Sequence, residues 1–179
     1  KKLHFRSIRI DREETDRQAD TAKQLFGDIL CVRTHGPLWW SLGLTGTLIL
    51  LRGLEQIMMD MYDSPQLLHD LMKLLRDDTI KFIETCEKEK ILSENYGSDD
   101  FVGSAGVGAT NELPSPGFDG HVKMRDTWVL GESQEFVGVG PDQFYEFALQ
   151  YQIPILNRFG LTCYGCCEPL ESRWHVVKR

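Results

Sequence analysis

Leu67, Leu68, Leu71, Leu74, Leu75, Ile80 and Ile83 repeat on one side of a helix that Ser64-Pro65 begins, Ser64 as N-cap and Pro65 in the first turn. A helix this long and one-sided must lay its apolar stripe on another element. Residues 28–33, 91–95, 127–130 and 161–164 each read as a short strand, rich in apolar or β-favouring residues and ended by Gly, Pro or polar side chains. Strands alternating with long amphipathic helices imply parallel β/α units in which the helices cover the sheet. The fold class is therefore α/β, with residues 1–179 as a single domain.

Further helices fit that scheme. Asp11 and Glu14 have the spacing of a capping box for a helix to about residue 26, where Gly27 can end it. A helical pattern over 44–62 carries Ile57, Met58, Met59 and Met61, a stripe best read as core. Gly140-Pro141 begins another helix through Phe144, Phe147, Ala148 and Tyr151, which Pro154 should kink or divide. Between them, the Gly-rich stretch 97–125, with Pro114 and Pro116, reads as a long excursion.

Charge and composition exclude several roles. The 20 Lys and Arg against 27 Asp and Glu give a net charge of -7, which opposes binding to nucleic acid. No apolar run approaches the roughly 20 residues of a membrane span, and the first residues lack the pattern of a secretory signal. No G-x-G-x-x-G follows a predicted strand, which weakens a dinucleotide-binding reading. Five cysteines, two of them adjacent, fit reduced thiols and a cytoplasmic setting better than a disulfide framework. The dibasic start, and a helical pattern just beginning at Val177-Lys178-Arg179, read as those of a piece of a longer protein.

In parallel β/α proteins the reactive groups gather where strands end. His35 follows the first predicted strand; Glu94, Asn95 and Tyr96, then Asp99 and Asp100, follow the second; Tyr164, Cys166, Cys167 and Glu168 follow the last. A thiolate is a good zinc ligand, so the cysteine pair is the sharpest signal, although free Cys is also a common buried residue. A carboxylate such as Glu94 at a strand end can have its pKa raised toward that of a proton donor. Asp99 and Asp100 equally suit loop capping, and His35 before Gly-Pro suits a structural turn. Trp39-Trp40 could wall a flat ligand or pack helices.

Several segments, in order, resemble the uroporphyrinogen decarboxylase superfamily. Gly36-Pro37, then Leu51-Arg52-Gly53-Leu54-Glu55, is similar to its strand exit and following helix. Asp60-Met61-Tyr62-Asp63-Ser64-Pro65 leading to Leu68-His69-Asp70-Leu71-Met72 is similar to its acidic, Pro-started long helix. The stretch 91–96 resembles its acidic strand, and Val139-Gly140-Pro141-Asp142-Gln143-Phe144 with Phe147-Ala148 resembles the start of its next helix. The resemblance covers most of the chain from about residue 28, except 97–137, which looks like an insertion.

That resemblance implies an incomplete (β/α)8 TIM barrel with parallel strands, and it points toward the corrinoid-linked methyltransferase branch. The decarboxylases' Tyr and Ser positions hold Ile49 and Asn95, and their arginine-bearing N-terminal segment is missing. In the methyltransferases a His-x-Cys motif binds zinc; Tyr164-Gly165-Cys166 occupies the similar place, with Tyr164 departing from the histidine. The implied site is Cys166 as zinc ligand with Cys167 and Glu168 as substitute ligands, Glu94 as catalytic residue, and His35, Asn95, Tyr96 and Tyr164 around a small-molecule substrate. The implied chemistry is zinc-dependent methyl transfer between a corrinoid, carried by a corrinoid protein, and a thiol. The alternatives are a cofactor-free carboxy-lyase acting on a porphyrinogen through Glu94, and a non-catalytic tetrapyrrole- or corrinoid-binding barrel. With ligands expected beyond Arg179, the piece by itself is expected to be inactive.

Overall fold

The computed structural model describes residues 3–37 and 41–178. Trp39 and Trp40 lie outside the described residues.

Helix α1, Arg12–Phe26, starts as its sequence predicts: the Asp11 carboxylate accepts the backbone N–H of Glu14 at 3.1 Å, and Glu13 and Glu14 sit at the positive end of the helix dipole. None of its residues is buried. The chain after it corrects the expected first strand. Ile29 and Leu30 turn back and give their N–H groups to the Phe26 carbonyl, at 2.9 and 2.7 Å, and both side chains are exposed. Apolar composition suggested burial there, but the backbone donors are spent on the helix end, and no strand lies alongside among the described residues.

The pattern over 44–62 resolves into two helices, α2 (Thr45–Arg52) and α3 (Leu54–Asp63). Gly53 divides them at φ +83°, a conformation open to glycine at little cost. Arg52 then reaches over the break to Asp60, Nε to Oδ2 at 2.6 Å. The long helix α4, Pro65–Lys88, buries Leu68, Met72, Leu75, Thr79, Ile83 and Cys86; of the predicted stripe Leu68, Leu75 and Ile83 are among these, while Leu67 is exposed. Its His69 hydrogen-bonds the Tyr151 hydroxyl at 2.6 Å and stacks on Phe147.

Strands β1 (Trp128–Gly131) and β2 (Leu161–Tyr164) pair in parallel, Trp128 opposite Leu161 and Gly131 opposite Tyr164. They are connected by α5 (Pro141–Phe144), a π turn (Tyr145–Leu149) and α6 (Gln150–Leu156). This β-α-β unit is the α/β arrangement read from the sequence. Pro154 sits inside α6 rather than dividing it, and the widened turn comes before it. The core joins α2, α3 and α4 to this unit through fully buried Leu48, Ile57, Leu68, Ile83, Phe136, Phe144 and Ile155. Each such side chain contributes about 1.5–3 kcal/mol on burial. A short last helix, α7, spans Trp174–Val177.

Residues 91–95 are not a hydrogen-bonded strand, which corrects the second expectation. They lie against β1 all the same, because the Asn95 side chain imitates a strand neighbour. Its Oδ1 accepts the Trp128 N–H at 2.9 Å and its Nδ2 donates to the Trp128 carbonyl at 3.0 Å. On the other side, Gly36 donates its N–H to Ser93 Oγ at 2.7 Å. Residues 97–127 are irregular apart from two short 3-10 turns and one isolated bridge, Phe101 with Val107. The stretch 97–137 suspected of being an insertion thus contains β1, a structural strand. No helix among the described residues is long and apolar enough to cross a membrane.

Candidate functional site at the end of the parallel pair

Beyond the C-terminal ends of β1 and β2, two loops carry the buried polar side chains Glu132, Ser133 and Glu168. Glu132 and Ser133 follow β1 directly; Cys166, Cys167 and Glu168 follow β2 after Gly165, whose φ of +112° turns the chain there. Glu168 fastens one loop to the other. Its Oε1 accepts the Ser133 N–H at 2.8 Å and its Oε2 accepts the Cys166 N–H at 3.0 Å.

Ser133, Gln152 and Tyr164 form a closed ring of hydrogen bonds whose direction can be worked out. Gln152 Nε2 must donate to the Glu132 carbonyl, 2.9 Å away, because a carbonyl only accepts. The same nitrogen gives its other hydrogen to Ser133 Oγ at 3.0 Å, and Gln152 Oε1 accepts from the Tyr164 hydroxyl at 2.6 Å. Ser133 therefore donates to Tyr164, 3.1 Å away. Each hydroxyl gives and receives once, so the ring is saturated. Burial pushes the Tyr164 phenol well up, and it stays protonated near neutral pH.

Glu132 is buried, with Oε1 accepting from Ser41 Oγ at 3.1 Å and Oε2 from the Gln134 N–H at 3.1 Å. Burial, with the nearby charges of Glu135 and Glu168, raises its pKa above the ordinary carboxylate range, although these hydrogen bonds work against that rise. Arg173, buried at 2% exposure, closes the back of the site. Its Nη2 donates to the Val139 carbonyl at 2.7 Å and to the Phe136 carbonyl, and its guanidinium lies over the Phe144 ring. Nη1 has no hydrogen-bond partner among the described residues.

The predicted site residues fall into two groups. Tyr164, Cys166, Cys167 and Glu168 are together, with the Cys166 and Cys167 sulfurs 3.5 Å apart. That hydrogen bond, and then the Cys166 charge, push the Cys167 thiol up. His35, Glu94 and Asn95 line a different, small cavity of about 30 Å³ whose walls include none of residues 164–168. His35 also borders a cleft of about 780 Å³ with Ile8, Arg12 and Lys90. Tyr96, neighbouring Glu94, is pushed up to about 12, chiefly by burial and then by the Glu94 charge.

The two groups are anchored at different ends of β1. Asn95 holds Trp128, its first residue, and Glu168 holds Ser133, two residues past its last. The carboxylate whose charge acts on Cys167, besides Glu168, is Glu132 rather than Glu94. Asn95 and Tyr164 spend their polar atoms inside the protein, on Trp128 and on the Ser133–Gln152 ring, rather than holding them free for a substrate.

Cys166 and Cys167 offer two soft donors, where zinc takes three or four protein ligands. Both Glu168 oxygens already accept backbone N–H groups. No group of three His, Cys, Asp or Glu suited to a metal occurs among the described residues. They do not complete a zinc site on their own.

Glu132 and Ser133 stand just past the predicted strand 127–130, separated from it by Gly131, so the strand-end rule that selected Glu94 applied to them as well. Gln152 and Arg173 carried no local signal, since a polar residue in a helix or a turn ordinarily faces water.

Fold and site together define an α/β protein with a polar rim at the C-terminal ends of a parallel pair. No family model, curated protein or solved structure matches the chain.

Proposed function

We propose that the rim formed by Glu132–Ser133 and Tyr164–Glu168 is the substrate face of a methyltransferase-like β/α enzyme, part of a barrel of the uroporphyrinogen decarboxylase superfamily. The observation that supports this reading is the thiol pair at the end of β2, its sulfurs 3.5 Å apart and within reach of the Glu132 charge. In this reading Cys166 and Cys167 contribute sulfur ligands to a zinc site completed by further donors, and a corrinoid protein supplies the methyl group to a small thiol. Bound zinc would favour the thiolate form of that acceptor. Glu132, with its raised pKa, can hold the proton the acceptor gives up. Ser133 and Tyr164 fix the loops rather than touch the substrate, because their hydroxyls are spent on each other and on Gln152.

Zinc analysis of the full-length protein beside its Cys166→Ser variant, with demethylation of methylcobalamin by a thiol as the activity, tests the reading. The expected result is one zinc and measurable demethylation in the wild type, with both lost in the variant. Zinc absent from the wild type, or retained equally by both, overturns it.

A second reading, a metal-free carboxy-lyase, draws on the buried Glu132 with its raised pKa, the state expected of a proton donor. Porphyrinogen turnover that survives Cys166→Ser and is lost in Glu132→Gln would select it.

A further inference from the structure

Adjacent cysteines seldom bring their sulfurs together, because the peptide between them holds the two side chains apart in most conformations. In this chain the backbone after β2 is unusual on both sides of the pair. Gly165 takes φ +112° just before it, and the Cys166 N–H is bound to the Glu168 carboxylate at 3.0 Å. The result is a sulfur-to-sulfur distance of 3.5 Å, with Cys167 exposed and Cys166 half-buried. The remaining cysteines are differently placed. Cys86 is buried in the core, Cys163 is half-buried in β2, and Cys31 is exposed near the N-terminal turn.

We propose that Cys166 and Cys167 are an oxidation site, closed by a small peroxide into a reversible disulfide between neighbouring residues. The inference does not depend on the methyl-transfer reading. One sulfur, as thiolate, attacks a peroxide oxygen; the O–O bond breaks, hydroxide leaves, and that sulfur becomes a sulfenic acid. The second sulfur displaces this oxygen, which leaves as water, and the S–S bond forms. Two thiols are oxidised and one peroxide is reduced to two waters. The product is reducible for a geometric reason. Neighbouring Cα atoms lie about 3.8 Å apart across a trans peptide, closer than the roughly 4.4–6.8 Å of ordinary disulfides. Strained, exposed disulfides are the readily reduced ones. Closure also takes up the sulfur donors that the metal reading needs.

Brief treatment of the full chain with hydrogen peroxide, followed by alkylation and intact-mass measurement, tests this. The expected result is two fewer alkyl groups than in the untreated protein, with two hydrogen atoms' mass missing from the closed pair and restored by dithiothreitol, and fragment spectra showing no cleavage between residues 166 and 167 until reduction. Cys163→Ser should keep the mass loss; Cys166→Ser and Cys167→Ser should abolish it. The fragment spectra are read on the wild type, so they stand even if a variant folds poorly. No mass loss, oxygen added to separate cysteines, a bond to Cys31, Cys86 or Cys163, or a loss that persists in Cys167→Ser overturns the proposal.

Discussion

The Glu168 carboxylate accepts the backbone N–H of Ser133 at 2.8 Å, which ties the loop after β2 to the loop after β1. Glu168→Gln should loosen that tie. The amide keeps one accepting oxygen for two N–H donors, Ser133 and Cys166, and presents an NH2 to the other. Leaving a buried donor unpaired costs about 1–3 kcal/mol. Urea unfolding should show a loss of that size with an unchanged slope, and unchanged stability would show that the tie carries no energy.

Tyr164→Phe removes one member of the hydrogen-bonded ring. Gln152 Oε1 loses its donor and Ser133 its acceptor, and both of these residues are buried. A loss of about 1–3 kcal/mol is expected. Thermal unfolding of Tyr164→Phe beside Gln152→Leu and the double variant checks it. The two losses should be clearly non-additive, as expected of one network.

Asn95→Ala should release residues 91–95 from β1. Both Trp128 backbone groups lose their side-chain partner, at about 0.5–1.5 kcal/mol for each hydrogen bond. Asn95→Asp should be worse than loss of one bond, since it sets a carboxylate against the Trp128 carbonyl. Hydrogen exchange of the Trp128 amide, faster in both variants, is the measurement; wild-type protection in Asn95→Ala would contradict the anchoring role.

Glu132 makes stability depend on pH. Its folded pKa lies above the ordinary 4.5, so between that value and the raised one the native protein binds more protons than the unfolded chain. Stability therefore falls as pH rises through this window, and the loss is complete above the folded pKa. In Glu132→Gln the fall should be reduced. The stability of the variant relative to wild type should thus rise with pH, as measured by urea unfolding at a series of pH values.

Gly36→Ala should be among the most damaging small changes. An added Cβ would run into the Ile91 carbonyl oxygen, and a backbone atom cannot swing aside as a side chain can. Circular dichroism and soluble yield should both show loss of the fold.

The helices were legible from the sequence because their signals are local. Asp11 caps α1, Pro65 starts α4 and Gly140-Pro141 starts α5, each through chemistry within a few residues. The strands at 127–130 and 161–164 were legible too, within one residue of β1 and β2. The run 28–33 was misread, since apolar composition does not say whether a neighbouring strand is present to take the backbone hydrogen bonds. The site was legible in part: the sequence alone brought Tyr164, Cys166, Cys167 and Glu168 to one strand end.

What only the tertiary structure decided was which distant groups meet them there. Sequence spacing could not bring Gln152 and Arg173 to that end, nor separate Glu94 from it, because those relations depend on how β1 and β2 align across the crossover helix. Helix caps and turns act over a few residues and are written locally. A buried hydrogen-bond ring joins positions about twenty to thirty residues apart, and it exists only once the chain has packed.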